Sequence, residues 1–196
     1  MSKEVLAWHF VGDSLRDGRP IPDNGVTLKH KGKLELCASG LHASERLIDA
    51  LSYAPGPILC RVRMGGAIKK ESDKLVARQR TIIWRIDSTH VLLKFAQQCA
   101  LDVAHLWNMP PVTREYLETG DESLKAAAWA ATWETAWDAA RETAWDAARA
   151  AAWDAANAGG WDAANVAARV AAGATAKALQ NIRLNIMVMA LAPEES

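Results

Sequence analysis

The amino-acid sequence predicts an α+β protein, with a small mixed α/β N-terminal domain followed by a C-terminal helical repeat region rich in alanine and tryptophan. Three observations support this fold class. Segments that alternate apolar and polar residues, as half-buried strands do, lie before Ser88. From Ser88 the apolar residues follow helical spacing instead. A Trp-Asp-Ala-Ala motif then recurs every eight residues from Trp137 to Trp161.

The first region, residues 1–87, is predicted to be the mixed α/β domain. Glycine and proline divide it into short elements, since these residues interrupt regular structure. Residues 39–44, SGLHAS, are predicted to form a turn. Residues 26–37 suggest two short strands, with a hairpin around Lys31-Gly32 as one arrangement. The other predicted elements are strands at residues 5–11, 57–64 and 81–87 and a helix at 44–54.

The second region, residues 88–120, is predicted to consist of connecting helices. Ser88 or Thr89 is the expected N-cap of a helix that Pro110-Pro111 ends, and a short helix follows at residues 113–117. Thr119 and Glu122 have the spacing of a capping box. We therefore place the start of the repeat helix there, and residues 121–196 form the third region.

The repeat is predicted to be helical because alanine is the best helix former and is poor in strands. An eight-residue step advances an α-helix by about 80° beyond two turns, so the indoles cannot share one face. Trp129, Trp133 and Trp137 are expected to face the core. Gly159-Gly160 is the weak point, either a kink or the turn of a helical hairpin. The region is therefore one long helix or a hairpin.

Two indoles rotate to the charged side of this helix and form the predicted partner-binding surface. Arginines four residues away favour cation–π contacts, and clustered exposed indoles are typical of contact sites. The alternative is that these indoles lie under the arginines or pack against the N-terminal domain. The predicted binding residues are Trp145, Trp153, Arg141, Arg149, Asp138, Glu142 and Asp146.

Composition and motifs limit the other function classes. The formal net charge is zero, which argues against bulk attraction to nucleic acid or to anionic lipid. Three distant cysteines argue for free, mostly buried thiols and against a zinc site. No metal site, cofactor or specific catalytic motif is predicted, and no apolar stretch is long enough to span a membrane. A cytoplasmic location is the expectation.

Part of the N-terminal domain resembles ADP-ribosyltransferase-like folds. The resemblance rests on residues 40–66, in which a turn with small polar residues leads into an A-x-x-Y helix and then a strand. It implies that His9 is a first-strand position in contact with NAD, and that Ser44 and Tyr53 form the middle motif. Glu71 or Asp73 would supply the third, acidic motif.

Nearly the whole chain resembles proteins of phages and bacteria that join a small G-[LF]-H-A domain to alanine-rich repeats. The matching residues are Gly40–Ala43, Ala104–Trp107 and Glu118–Leu124. This resemblance implies a phage or mobile-element setting. The leading hypothesis is therefore a non-enzymatic protein that binds and inhibits a host defence complex, such as a CRISPR effector. The alternatives are an ADP-ribosyltransferase-like enzyme and a structural homo-oligomer assembled by the repeat.

Overall fold

The computed structural model describes residues 4–106, 108–139 and 174–193, and it confirms the α+β class. The chain divides into two compact units. One comprises Met1–Ser88 with Leu184–Ser196, and the other comprises Thr89–Arg183. Most of the repeat, including Gly159-Gly160, lies outside the described residues, so the choice between a long helix and a hairpin stays a prediction.

An antiparallel sheet forms the first unit. Its strand order is β1-β4-β5-β2, and β3 also pairs with β5. Every pairing is antiparallel. In the part of the chain that the structure describes, the strands are β1 (Val5–Val11), β2 (Thr27–Lys29), β3 (Leu41–Ala43), β4 (Ile58–Lys70) and β5 (Leu75–Asp87).

The two long strands β4 and β5 form one hairpin of 13 residues on each side, much longer than predicted. The alternation of apolar and polar residues predicts a strand only as far as Met64, directly before Gly65-Gly66. The structure accommodates these glycines in an irregularity of register between Gly65 and Ile68, where Gly66 has a φ of 72°. Glycine within a strand often marks such a bulge, which bends the strand without ending it.

Two predictions between β1 and β4 are wrong. The hairpin around Lys31-Gly32 is absent from the described chain, because β2 pairs with β5 instead. The segment predicted as a turn at residues 39–44 contains β3, which also pairs with β5. Gly40 allows this entry, since its φ is 123° and a Cβ there would lie 2.4 Å from Cγ2 of Val76. Only glycine readily combines that conformation with that approach.

One face of the sheet carries the apolar core of this unit. Side chains two residues apart on a strand share a face, so Ala7 and Val11 of β1 lie on this face together with His9. Isoleucine, leucine and valine side chains of the longer strands complete it. The buried members are Ala7, Val11, Ala43, Cys60, Val62, Met64, Leu75, Ala77 and Ile82.

The helices differ from prediction mainly at their ends. The described helices are α1 (Leu47–Leu51), α2 (Thr89–Asp102), α3 (Pro111–Thr119), α4 (Lys125–Ala139) and α5 (Ala174–Met189), with 3-10 turns at Ala104–Leu106 and Glu122–Leu124. Helix α1 is shorter than residues 44–54 because Arg46 is still extended, with φ −99° and ψ 138°. Pro111 opens α3, where its missing N–H is harmless.

The predicted capping box at Thr119 and Glu122 is wrong. Thr119 still belongs to α3, which ends at Gly120 in the left-handed conformation with a φ of 71°. Asp121 is the cap, and its carboxylate accepts a hydrogen bond from the Ser123 N–H at 2.9 Å. A 3-10 turn follows, and helix α4 therefore begins at Lys125.

Helices α3 and α4 are joined by buried hydroxyl groups. The Thr113 hydroxyl lies 3.0 Å from that of Thr132 and donates to the Ala128 carbonyl at 3.2 Å. Small side chains thus form the buried side of α4. Trp129, expected in the core, is 37% exposed. The side chains of Trp133 and Trp137 lie outside the described residues.

Candidate functional site

The first unit contains a cavity of about 910 Å³ beside the core face of the sheet. Its wall is formed by β1, by the loop after β1 and by the segment that leads through β3 to α1. Single residues from the β4–β5 turn and from β5 complete the lining. The volume lies in the range of typical ligand pockets, about 300–1,000 Å³. Its polar lining side chains include His9, His42, Ser44, Tyr53, Lys74 and Arg80.

A local pairing of backbones brings β1 next to Ser44. The Trp8 N–H donates to the Ser44 carbonyl at 2.7 Å, and the Ser44 N–H donates to the Trp8 carbonyl at 2.9 Å. His9 and Ser44 therefore enter the same cavity although they are far apart in sequence. Ser44 is 2% exposed, so it lies at an inner wall.

His9 is positioned as a neutral imidazole. Desolvation by burial lowers its pKa well below the ordinary histidine value, and the nearby charges of Arg80 and His42 lower it further. A neutral imidazole offers one donor and one acceptor nitrogen. His9 is therefore suited to hydrogen bonding with an uncharged polar group of a ligand.

His42 holds the loop that borders the cavity. Its Nε2 accepts a hydrogen bond from the Cys37 N–H at 3.0 Å. Cys37 has a φ of 64°, a conformation that non-glycine residues adopt only when their surroundings hold them there. Desolvation lowers the pKa of His42 as well. An Nε2 that accepts a hydrogen bond is unprotonated, so the loop geometry and the lowered pKa both favour neutral His42.

Tyr53 lies at the mouth of the cavity and is 51% exposed. Its hydroxyl donates to a carboxylate oxygen of Asp73, and this hydrogen bond raises the pKa of Tyr53. The Lys74 ammonium lies 5.5 Å from the centre of the Tyr53 ring. Asp73 thus contacts a cavity-lining side chain without itself lining the cavity.

Glu71 is separated from the other candidate residues of the ADP-ribosyltransferase resemblance. It is exposed in the β4–β5 turn, and its carboxylate pairs with Lys74 at 3.2 Å. It does not line the cavity. The structure therefore brings His9, Ser44 and Tyr53 to one cavity and leaves Glu71 outside it.

Arg80 is the main cavity residue that the sequence analysis missed. It is only 5% exposed and lies on β5 opposite Met64. Arg80 lies two residues before Ile82 on the same strand, so the alternation of side chains places both on the apolar face. The predicted strand began at Thr81, one residue too late to include it. Extending the predicted strand by one residue would have placed Arg80 on the apolar face.

Most of the predicted partner-binding surface cannot be compared with the structure. Trp145, Trp153, Arg141, Arg149, Glu142 and Asp146 lie outside the described residues, and Asp138 is in α4 without a described side chain. Among the described residues, no group of three histidine, cysteine or acidic side chains is arranged to hold a metal ion. Within the same ranges, no helix has the length and apolar character that crossing a bilayer requires.

Comparison with known proteins places the cavity within a recurring domain. Residues 5–94 match the model of a domain of unknown function, DUF7666. This range includes every cavity-lining residue, from Trp8 to Arg80. No curated protein and no solved structure matches the chain.

Proposed function

We propose that the N-terminal domain binds NAD in its cavity, as the resemblance to ADP-ribosyltransferase-like folds implies. One observation supports this proposal above all others. His9, from the first strand, and Ser44 and Tyr53, from the middle motif, line the same cavity. A common role in ligand binding explains why these three residues line one cavity, whereas separate structural roles would not require it.

The chemistry of the cavity fits a dinucleotide. Its volume of about 910 Å³ is near the upper end of ordinary ligand pockets. Tyr53 presents a half-exposed ring at the mouth, and an aromatic ring there offers a flat surface to a nicotinamide or adenine base. His9 and Ser44 add polar groups at the inner wall, where they can bond ribose hydroxyls.

We propose binding and assign no transfer step, because neither Glu71 nor Asp73 lines the cavity. Transfer of ADP-ribose develops positive charge on the ribose, which a carboxylate at the site stabilises. Glu71 does not line the cavity, and its carboxylate pairs with Lys74. Asp73 contacts the Tyr53 hydroxyl and is therefore the better candidate for this role.

Calorimetric titration of NAD into the full chain tests the proposal. We expect saturable binding, and at least about tenfold weaker binding in His9→Ala, because a lost hydrogen bond in a desolvated site has roughly this effect. His90→Ala is the matched control, since His90 is exposed and outside the cavity. Absence of saturation at millimolar NAD would exclude the proposal. Release of nicotinamide, measured separately, decides whether binding leads to reaction.

A second candidate function, self-association, is favoured by the surface of α5. Its exposed apolar residues are spaced by three and four positions, as on helices that pair with each other. These residues are Leu179, Ile182, Ile186 and Met189, each more than half exposed. We propose a second copy of the chain as the partner of this stripe, which agrees with the structural homo-oligomer predicted from the repeat.

Sedimentation over a range of concentrations tests self-association. We expect a dimer or larger species that Ile182→Glu dissociates, since burying a carboxylate in an apolar contact is costly. Lys177→Glu, a charge change on the same helix at a residue outside the stripe, is the matched control. A monomer at every concentration would remove this candidate.

The hypothesis of a host-directed inhibitor remains a proposal based on the repeat. It predicts that Trp145→Ala combined with Trp153→Ala abolishes capture of a specific protein from host lysate. The circular dichroism spectrum should stay unchanged, because neither indole is assigned to the core. Equal capture by the wild type and the double variant would contradict it.

A further inference from the structure

We propose that Arg80 is the anion-binding residue of the cavity, and that the ligand presents an oxyanion, a phosphate or a carboxylate, to its guanidinium group. This inference does not depend on NAD being the ligand. It rests on one side chain that the resemblance did not select.

The position of Arg80 is unusual for its residue type. Arginine is almost never fully buried unless it is paired, yet Arg80 is 5% exposed. It lies on the sheet face that carries Ile82 and Met64, both of them core residues. Arg80 is nevertheless one of the residues that line the cavity. The fold thus places a positive charge at the boundary between the core and the cavity.

The protein leaves this charge uncompensated. Among the described residues, no carboxylate forms an ion pair with Arg80. Its Nη1 donates to the His42 carbonyl at 2.9 Å, but its buried Nε has no hydrogen-bond partner. An unpaired buried cation is strongly unfavourable. A purely structural arginine would be expected to have its donors satisfied.

The rest of the lining agrees with an anionic ligand. The cationic side chains in the described wall are Arg16, Arg19, Lys74 and Arg80, whereas Asp17 is the single acid. Asp17 is already bonded to Arg19, at 2.6 and 2.9 Å. His9 and His42 have lowered pKa values, so their neutral form is favoured and they contribute little charge to the wall. Since Arg19 pairs with Asp17 and Lys74 pairs with Glu71, Arg16 and Arg80 are the cations left in the described wall, and Arg80 is the less exposed of the two.

Guanidinium chemistry gives the ligand class. Nε and the Nη atoms form a planar fork that matches the two oxygens of a carboxylate or phosphate. With Nη1 bonded to the His42 carbonyl and Nε buried, Nη2 is the donor left for the ligand. Charge-assisted bonds of this type are strong when little water reaches them. Arg80 is thus equipped to orient an oxyanion deep in the cavity.

Thermal unfolding of the full chain with inorganic pyrophosphate or succinate tests the proposal. We expect at least one of these probes to raise the Tm of the wild type. Arg80→Met should abolish the shift while remaining folded, because it removes an uncompensated buried charge and keeps most of the side-chain volume. Arg80→Lys should retain part of the shift. Arg63→Met, which removes an exposed arginine outside the cavity, should respond like the wild type.

The outcomes separate this proposal from NAD binding. A shift by pyrophosphate alone identifies a phosphate-type ligand, and a shift by succinate alone identifies a carboxylate. No shift with either probe, or an equal shift in Arg80→Met, would overturn the role of Arg80. NAD binding that is equal in the wild type and Arg80→Met would keep the proposed function but assign Arg80 to structure alone. If Arg80→Met unfolds, a reduced shift in folded Arg80→Lys supports the proposal, and a full shift there contradicts a specific guanidinium contact.

Discussion

The sheet unit and helix α5 break the ordinary inside–outside rule in opposite directions. In the sheet unit, a charged arginine lies among core residues beside a cavity. On α5, a row of large apolar side chains lies more than half exposed. Globular proteins usually bury apolar groups and expose charged ones, so both departures are informative.

This contrast indicates two different kinds of binding. A buried charge without a partner in the sheet unit points to a small ion or ligand group that reaches the cavity. An exposed apolar row points to another macromolecular surface, because only a large surface can cover it. The alternation of side chains along β5 places Arg80 on the apolar face, and the helical spacing on α5 aligns the exposed apolar residues. Each therefore needs its own experiment.

The largest expected effect compares two isoleucines. Ile82 in the sheet core is 1% exposed, and Ile182 on α5 is 56% exposed. Ile82→Ala should lower the free energy of unfolding by roughly 2–5 kcal/mol, because it leaves a cavity in a packed core. Ile182→Ala should change the free energy of unfolding of the monomer by less than about 0.5 kcal/mol. Urea denaturation measures both, and similar losses would contradict the contrast in burial.

A smaller effect is expected from backbone conformation in the sheet unit. Gly40→Ala should cost about 2 kcal/mol, since its Cβ would lie 2.4 Å from Cγ2 of Val76 at a φ of 123°. Gly25→Ala should cost about 1 kcal/mol, because Gly25 has a positive φ but no atom within 4 Å of the added Cβ. Equal losses in urea denaturation would show that packing at Gly40 is not tight.

Thiol reactivity tests whether the helical unit is as closed as the sheet unit. Cys60 and Cys99 are buried, one in each unit, and Cys37 is exposed. Burial raises the pKa of Cys60 to about 11 and that of Cys99 to about 12, which keeps both as unreactive thiols. A thiol reagent should therefore label only Cys37 rapidly in the folded protein. In urea it should label all three cysteines. Rapid labelling of Cys99 would show an open helical unit.

The smallest expected effect concerns the two tyrosines of the chain. A hydrogen bond to Asp73 is the main cause that raises the pKa of Tyr53, whereas burial is the main cause that raises the pKa of Tyr116. Asp73→Asn should therefore lower the pKa of Tyr53 toward its ordinary value. Tyr116 is the internal control. Absorbance of tyrosinate during alkaline titration measures both, and an unchanged profile would contradict the assigned contact.

Several elements were predictable because their signals are local. Strand β1 matches residues 5–11 as predicted, and alternation also located parts of β4 and β5. The resemblance selected three residues that line one cavity. Arg80 was missed because the predicted strand began at Thr81, where the run of apolar residues starts, whereas in the structure β5 begins at Leu75. Pairing with β4 extends β5 beyond the segment with the clearest apolar signal.

The sequence by itself determined the α+β class and the position of β1, because these depend on neighbours a few residues away. Tertiary structure decided the rest. β2 and β3 are too short to specify their partners, and long-range pairing with β5 placed them in the sheet. The same pairing buried Arg80 beside the cavity, with no counter-charge among the described residues, since burial is set by residues distant in sequence.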